Sequence, residues 1–176
     1  IAYYDRDIIL RTAKASAHLT PEQVRRWDER VPHEFGFTQS LFNFYERPLS
    51  EELWDAQVRA IREIADKESC VIVGRNADYI LREFDHCLRV FVHADAAFCL
   101  EQAMKVNSME REDVRKKIEH IDDYRAKFYK HHTGRDWYDA RNYDLSLNSG
   151  ALGFEGTMQE ILQYLEVRSQ LEAEKE

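Results

Sequence analysis

The sequence predicts an α/β fold in which a parallel sheet carries helices on both faces. Three apolar segments indicate its strands, near Cys70–Gly74, Leu88–Val92 and Leu145–Asn148. The first is a continuous run of apolar residues that ends at a glycine, which is typical of a strand buried on both faces of a parallel sheet. Helical patterns separate the three segments, and this alternation of strand and helix is typical of parallel α/β sheets.

The N-terminal part of the chain predicts a strand followed by a charged and then an aromatic segment. Ile1–Tyr4 is short, apolar and aromatic, like the end of a strand, and Asp5 and Arg6 follow it directly. Such charged residues are either a ligand site or the cap of the next helix. The aromatic residues of Phe35–Tyr45 follow neither a helical nor a strand period. We expect an irregular loop there, which packs on the core, covers a ligand or forms a homodimer contact.

Helices are predicted between and after the strands. Apolar residues at helical spacing follow Pro48 and predict a helix that buries one face. Asp95 is expected to cap a helix that runs to Met104, although a carboxylate there is also able to hold Mg²⁺ through water. Ser108 is expected to cap a long helix, and Gly153 precedes an amphipathic C-terminal helix.

Composition restricts the classes of partner and compartment. The 176 residues carry a formal net charge of −8, which argues against binding to nucleic-acid polymers or to a membrane surface. No apolar run is long enough to span a bilayer, and no signal-peptide pattern is present. The three cysteines are isolated and have apolar neighbours. They predict reduced thiols in a cytoplasmic protein.

Gly74 and Arg75 form the first candidate site. Ligands bind parallel α/β sheets at the carboxyl ends of the strands, where Gly74 lets the backbone turn sharply. Arg75 then offers a planar fork of donors that suits a phosphate. The alternative is a glycine that ends a core strand and an arginine in solvent, and these residues alone leave both interpretations open.

The most basic region of this acidic chain is the second candidate. It contains Arg111, Arg115, Lys116, Lys117, Arg125, Lys127, Lys130, His131, His132 and Arg135. These residues form either an anion-binding set or the solvated face of a helix with ion pairs, such as Glu112 with Lys116. The adjacent histidines lack further ligands at standard spacings, so no metal site is predicted.

Five blocks of the sequence resemble the cytidylate kinase-like proteins, a P-loop group related to bacterial CMP kinases. The blocks are Tyr3–Ile9, Val71–Ile80, Val90–Ala94, Ile121–Lys130 and Asn142–Ser149. Their order and spacing extend the resemblance to the whole chain. It implies one P-loop kinase-like domain over residues 1–176, with a helical NMP-binding insertion at about 6–50 and a mobile lid at about 109–135.

The resemblance implies roles on the acceptor side of a phosphoryl-transfer site. Gly74 and Arg75 would bind the phosphate of the acceptor nucleotide. Asp5 and Arg6 match the start of the acceptor-binding insertion and are implied substrate-binding residues.

The resemblance also implies roles on the donor side. Arg125 of the lid would reach the transferred phosphate when the lid closes, and Asp122 would orient Arg125 or contact ribose. Asn148 and Ser149 would lie near the adenine of ATP. Further catalytic candidates on the same helix are Arg115, Lys116 and Lys117.

The implied activity is transfer of a phosphoryl group from ATP, with Mg²⁺, to CMP or a related nucleoside monophosphate. The sequence contains no G-x-x-x-x-G-K-[ST] loop, and its first glycine is Gly36. A sheet without its central strand leaves unpaired backbone edges, so we expect the first strand and the phosphate loop upstream of Ile1. The alternatives are a P-loop-like module that binds a nucleotide or a protein without transfer, and a kinase of another small metabolite.

Overall fold

The computed structural model describes residues 1–4, 51–106 and 108–174. The chain divides into two compact units, Ile1–Phe84 and Asp85–Glu176, and each contains one small parallel sheet with helices. The candidate residues Asp5 and Arg6, the insertion and the aromatic segment Phe35–Tyr45 lie outside the described residues. Within the described residues, no helix is long and apolar enough to cross a membrane.

The first unit is built around a pair of parallel strands. Strand β1 (Ala2–Tyr4) pairs with β2 (Cys70–Ile72), and Tyr3 lies opposite Val71. Helix α1 (Glu51–Lys67) precedes β2, and the short helix α2 (Ala77–Ile80) follows it. The predicted amphipathic helix is confirmed, because α1 buries the apolar side chains Ala56, Ala60, Ile61 and Ile64.

One expectation about β2 is wrong. The strand was predicted to be buried on both faces, but Val71 is 50% exposed and Val73 is 51% exposed. Tyr3 shares this face because it lies opposite Val71, and it is 57% exposed. The opposite face, which carries Cys70 and Ile72, is half-buried.

The second unit contains the other parallel pair. The sequence predicted one parallel sheet, whereas the described strands form two separate two-stranded parallel sheets. Strand β3 (Val90–His93) pairs along its length with β4 (Leu145–Asn148). Three helices complete the unit: α3 (Ala96–Met104), α4 (Arg111–Thr133) and α5 (Ser149–Ala173). Helix α3 packs against α4, and α5 packs against both strands. Gly153 interrupts α5 with a φ of 68°, and the long part of α5 follows it, where the C-terminal helix was predicted.

Aromatic packing fills one side of β3. The Phe91 ring stacks on Tyr143 with centroids 4.9 Å apart, and Trp137 meets it edge-on at 5.3 Å. Tyr138 also contacts Phe91 edge-on, at 6.3 Å. The Tyr143 hydroxyl donates to the carbonyl oxygen of Trp137 at 2.8 Å, which fixes the segment between α4 and β4.

Two arginines tie the second unit together. Arg89 donates to the Asp144 carboxylate through Nε at 3.0 Å, Nη2 at 2.6 Å and its backbone N–H at 2.8 Å. Arg168 of α5 donates through Nη1 to the carbonyl oxygen of Cys87 at 2.9 Å and through Nη2 to that of Asp85. These contacts join the start of β3 to the residue before β4 and to α5.

Two helix caps were predicted from the sequence, at Asp95 and at Ser108. Asp95 caps α3 as predicted, since its Oδ1 accepts from the Phe98 N–H at 2.8 Å. The expected cap at Ser108 is wrong, because α4 starts at Arg111 with Glu110 in the N-cap position. The Glu110 carbonyl already accepts from the N–H groups of Asp113 and Val114, so the first turn closes there.

Replacing Gly134, which ends α4, with alanine is expected to destabilise the second unit by about 1–2 kcal/mol. Gly134 has a φ of 71°, and an added Cβ would meet no heavy atom within 4 Å. The loss therefore comes from the left-handed backbone alone. Thermal unfolding should show a smaller loss for Gly134→Asn, because asparagine tolerates this conformation. Equal losses for the two variants would contradict the explanation.

Candidate functional site

The segment after β2 is a strained turn that contains Arg75, the residue predicted to bind a phosphate. Gly74, Arg75 and Asn76 have φ angles of 73°, 60° and 55°. The Ala77 N–H donates to the Gly74 carbonyl at 3.1 Å, which closes a turn with the two positive central φ angles of type I′. Non-glycine residues in this conformation are costly and cluster at functional sites. The prediction that the chain turns sharply at Gly74 is confirmed.

Two buried side-chain amides lie at this turn, one beside it and one within it. Sequence reasoning did not identify either as part of a site. Gln57 of α1 is 3% exposed, and its Nε2 donates to the carbonyl oxygen of Arg75 at 3.0 Å. Asn76 is 7% exposed, and its side-chain Nδ2 is buried with no acceptor among the described residues. One feature of the sequence could have identified Gln57, because it is a polar residue at a position of α1 that the helical pattern assigns to the core.

Helix α4 pairs most of its positive charges along its own surface. Arg115 donates to Glu112 at 2.6 Å and to Glu119 at 2.9 Å, and Lys116 lies 3.7 Å from Glu112. The hydrogen bond from Arg115 lowers the pKa of Glu112. The interpretation of this region as a helix laced with ion pairs is therefore correct for these residues. The Lys117 Nζ lies 3.6 Å from the sulfur of Met109.

Arg125 and Asp122 form an ion pair on the same helix. Arg125 Nη1 lies 3.0 Å from Asp122 Oδ1, and the two side chains are 55% and 38% exposed. The resemblance implied that Asp122 orients Arg125 or contacts ribose, and that role stays a prediction. Such an exposed pair is weak, so its arginine is able to exchange the carboxylate for another anion.

The Asp122–Arg125 pair lies near residues that sequence reasoning did not place there. Burial raises the pKa of the Cys99 thiol, as do the charges of Asp122 and Asp95, while Arg125 opposes the increase. Burial also raises the pKa of Tyr138, again with a contribution from Asp122. Asp122 and Arg125 therefore act electrostatically on Cys99 of α3, the helix that packs against α4, and on Tyr138.

The carboxyl end of β4 holds the two residues predicted to lie near the adenine of ATP. Asn148 Oδ1 accepts from the Gly150 N–H at 2.9 Å and caps α5. The Ser149 hydroxyl is buried and donates to the His93 carbonyl at 3.1 Å. A Cβ added at Gly150 would lie 3.1 Å from Asn148 Oδ1 and 3.5 Å from Asp95 Oδ2. Polar groups are therefore closely packed at the carboxyl end of this sheet.

The described residues do not form a metal centre by themselves. Across residues 1–4, 51–106 and 108–174, no cluster of three histidine, cysteine, aspartate or glutamate side chains could hold a metal ion. Asp95 uses one carboxylate oxygen to cap α3. Burial lowers the pKa of His132 to about 4, so this imidazole is neutral at pH 7.

The structure places the candidates in two groups. Gly74 and Arg75 belong to the first unit, while Asp122, Arg125, Asn148 and Ser149 belong to the second. Arg115 and Lys117 lie on α4 as well, but they contact neighbours on or just before that helix, Glu112, Glu119 and Met109.

Comparison with known proteins identifies the family. The sequence matches the cytidylate kinase-like family over residues 1–151. A similar solved structure is that of an uncharacterized protein from Eubacterium ventriosum ATCC 27560, with a TM-score of 0.72 and 22% identity. The similarity covers 95% of this chain and 84% of that one, and it shows the fold alone. No curated protein matches the sequence. Since the family match spans most of the chain, the protein belongs to the cytidylate kinase-like family.

Proposed function

We propose that the full-length protein is a nucleotide kinase that transfers a phosphoryl group from ATP, with Mg²⁺, to CMP or a closely related monophosphate. The observation that carries this proposal is the match to the cytidylate kinase-like family over residues 1–151, which suggests a nucleotide-kinase-like function. The strained turn that presents Arg75 at the end of a parallel strand supports it independently.

Phosphoryl transfer requires little covalent chemistry from a protein. It depends on the positions of donor and acceptor and on cations that neutralise the charge in flight. In our proposal Arg75 binds the acceptor phosphate from a fixed backbone position. Arg125 exchanges Asp122 for the oxygens of the transferred group. Asn148 and Ser149 lie close to the adenine of ATP.

A domain of this kind also needs a loop that cradles the phosphates of ATP. We propose that residues upstream of Ile1 supply this loop and a strand, in one domain with an acceptor-binding insertion at 6–50 and a lid at 109–135. The half-exposed apolar face of Tyr3, Val71 and Val73 supports a further element that covers it.

A coupled ADP-release assay on the full-length protein, with a panel of nucleoside monophosphates, tests the activity. We expect CMP or a close relative to give the highest kcat/KM. If ATP binds but no monophosphate stimulates ADP release, the protein is a binding module. If another small metabolite is the best acceptor, the proposed substrate class is wrong.

Replacing Arg75 with alanine is expected to weaken monophosphate binding about ten- to a hundredfold, measured by calorimetry. The variant loses a charge-assisted contact worth about 1.5–3 kcal/mol. Arg75→Lys should recover only part of the affinity because it lacks the planar fork. Arg59→Ala, at an exposed position of α1, is the matched control and should bind normally. Unchanged affinity in Arg75→Ala would contradict the assignment.

A further inference from the structure

Gln57 occupies a position in α1 that otherwise belongs to the core. Its neighbours in the helix, Ala56, Ala60 and Ile61, are 0% exposed, and Gln57 itself is 3% exposed. Burying an amide is unfavourable unless it forms hydrogen bonds. Its Nε2 donates to one backbone atom outside the helix, the carbonyl oxygen of Arg75, at 3.0 Å.

The hydrogen bonds of the turn at Gly74–Ala77 use the carbonyl groups on either side of this one. The Gly74 carbonyl accepts from Ala77, and the Asn76 carbonyl accepts from Tyr79 and Ile80. The carbonyl of Arg75 belongs to the central peptide of the turn, which points away from the turn's own hydrogen bond. Gln57 supplies a donor there, and it does so at a residue whose φ of 60° is unfavourable for arginine.

We propose that Gln57 is a positioning residue for Arg75. By holding the central peptide plane of a strained turn, it fixes the direction of the Arg75 Cα–Cβ bond and therefore where the guanidinium begins. This inference rests on the proposed role of Arg75 in binding the acceptor phosphate. Gln57 acts only through the backbone and touches no substrate.

The test is CMP affinity, measured by calorimetry on full-length variants. Gln57→Met keeps the length of the side chain and removes the donor. We expect it to weaken CMP binding about three- to tenfold while ATP binding stays unchanged. Ile64→Val, a substitution at another buried position of α1, is the control for a general loss of packing and should leave CMP affinity unchanged.

A double-mutant cycle separates positioning from packing. Glycine adopts left-handed conformations readily, so Asn76→Gly should hold the turn without the Gln57 contact. In that background Gln57→Met should change CMP affinity less than about twofold. An equal loss in both backgrounds would show that Gln57 acts through packing and would overturn the inference. Should Gln57→Met fail to fold, Gln57→Asn, whose amide is too short to reach the carbonyl, takes its place.

The outcomes also distinguish this inference from the proposed function. If Arg75→Ala loses CMP affinity while Gln57→Met binds as the wild type does, only the positioning role is wrong. If Arg75→Ala binds CMP normally, the acceptor-binding role of Arg75 is wrong, and the role of Gln57 falls with it.

Discussion

Replacing Arg125 with alanine is expected to lower kcat about a hundred- to a thousandfold, while KM for the acceptor changes little. Arg125 pairs with the exposed Asp122 at 3.0 Å, and in our proposal it leaves this carboxylate for the phosphoryl group in flight. A contact that forms mainly in the transition state affects kcat more than substrate binding. Steady-state kinetics with ATP and CMP varied separately measure both parameters.

Arg115 provides the internal comparison for this prediction. It lies on the same helix and carries the same charge, but Glu112 and Glu119 both hold its guanidinium. Releasing it breaks two ion pairs, so Arg115→Ala should lower kcat much less than Arg125→Ala does. Similar losses in the two variants would indicate that α4 contributes a diffuse positive field. An unchanged kcat in Arg125→Ala would remove Arg125 from the catalytic set.

The Asp144→Asn substitution is expected to destabilise the second unit by about 2–4 kcal/mol. The Asp144 carboxylate accepts three hydrogen bonds from Arg89, and the two side chains are only 22% and 25% exposed. The neutral amide leaves the guanidinium of Arg89 partly buried without its counter-ion. Urea unfolding followed by circular dichroism measures the loss. Asp123→Asn, which breaks the exposed pair with Lys127, should cost less than about 1 kcal/mol.

The Arg89–Asp144 pair also makes the stability of the second unit depend on pH. The hydrogen bond from the Arg89 side chain is the main cause that lowers the pKa of Asp144 below its ordinary value of 3.8. A carboxylate whose pKa is lowered by folding stabilises the protein above the ordinary value. This contribution disappears as pH falls from there through the folded pKa. The difference in stability between wild type and Asp144→Asn should therefore shrink below pH 3.8. A constant difference down to pH 2 would contradict this origin.

Local patterns predicted the strands and several contacts, because each depends on neighbours in the sequence. The apolar runs placed β2, β3 and β4, and Asp122 with Arg125 is a pair three residues apart on one helix. The Asp95 cap similarly joins residues three positions apart. Such interactions need only the right period and the right residue types.

Interactions between residues far apart in the chain were not predicted from the sequence. Gln57 donates to the Arg75 carbonyl, 18 positions along the chain. Because every residue has a backbone carbonyl, the residue type does not reveal which of them accepts this hydrogen bond. The place of Tyr138 beside Phe91 depends on how a whole segment folds back onto β3. The exposure of Val71 could not be predicted either, because apolar character says nothing about which element covers a strand.

The contacts of Arg168 determine where the chain leaves the second unit. Arg168 is close to the end of α5, yet it binds the carbonyl groups of Asp85 and Cys87, where the unit begins. The end of α5 therefore lies close to the first residues of the unit, ahead of the amino end of β3. The candidate residues Asn148 and Ser149 lie at the other end of the strands. A fusion partner or affinity tag attached directly after α5 would thus emerge on the side of this sheet away from them.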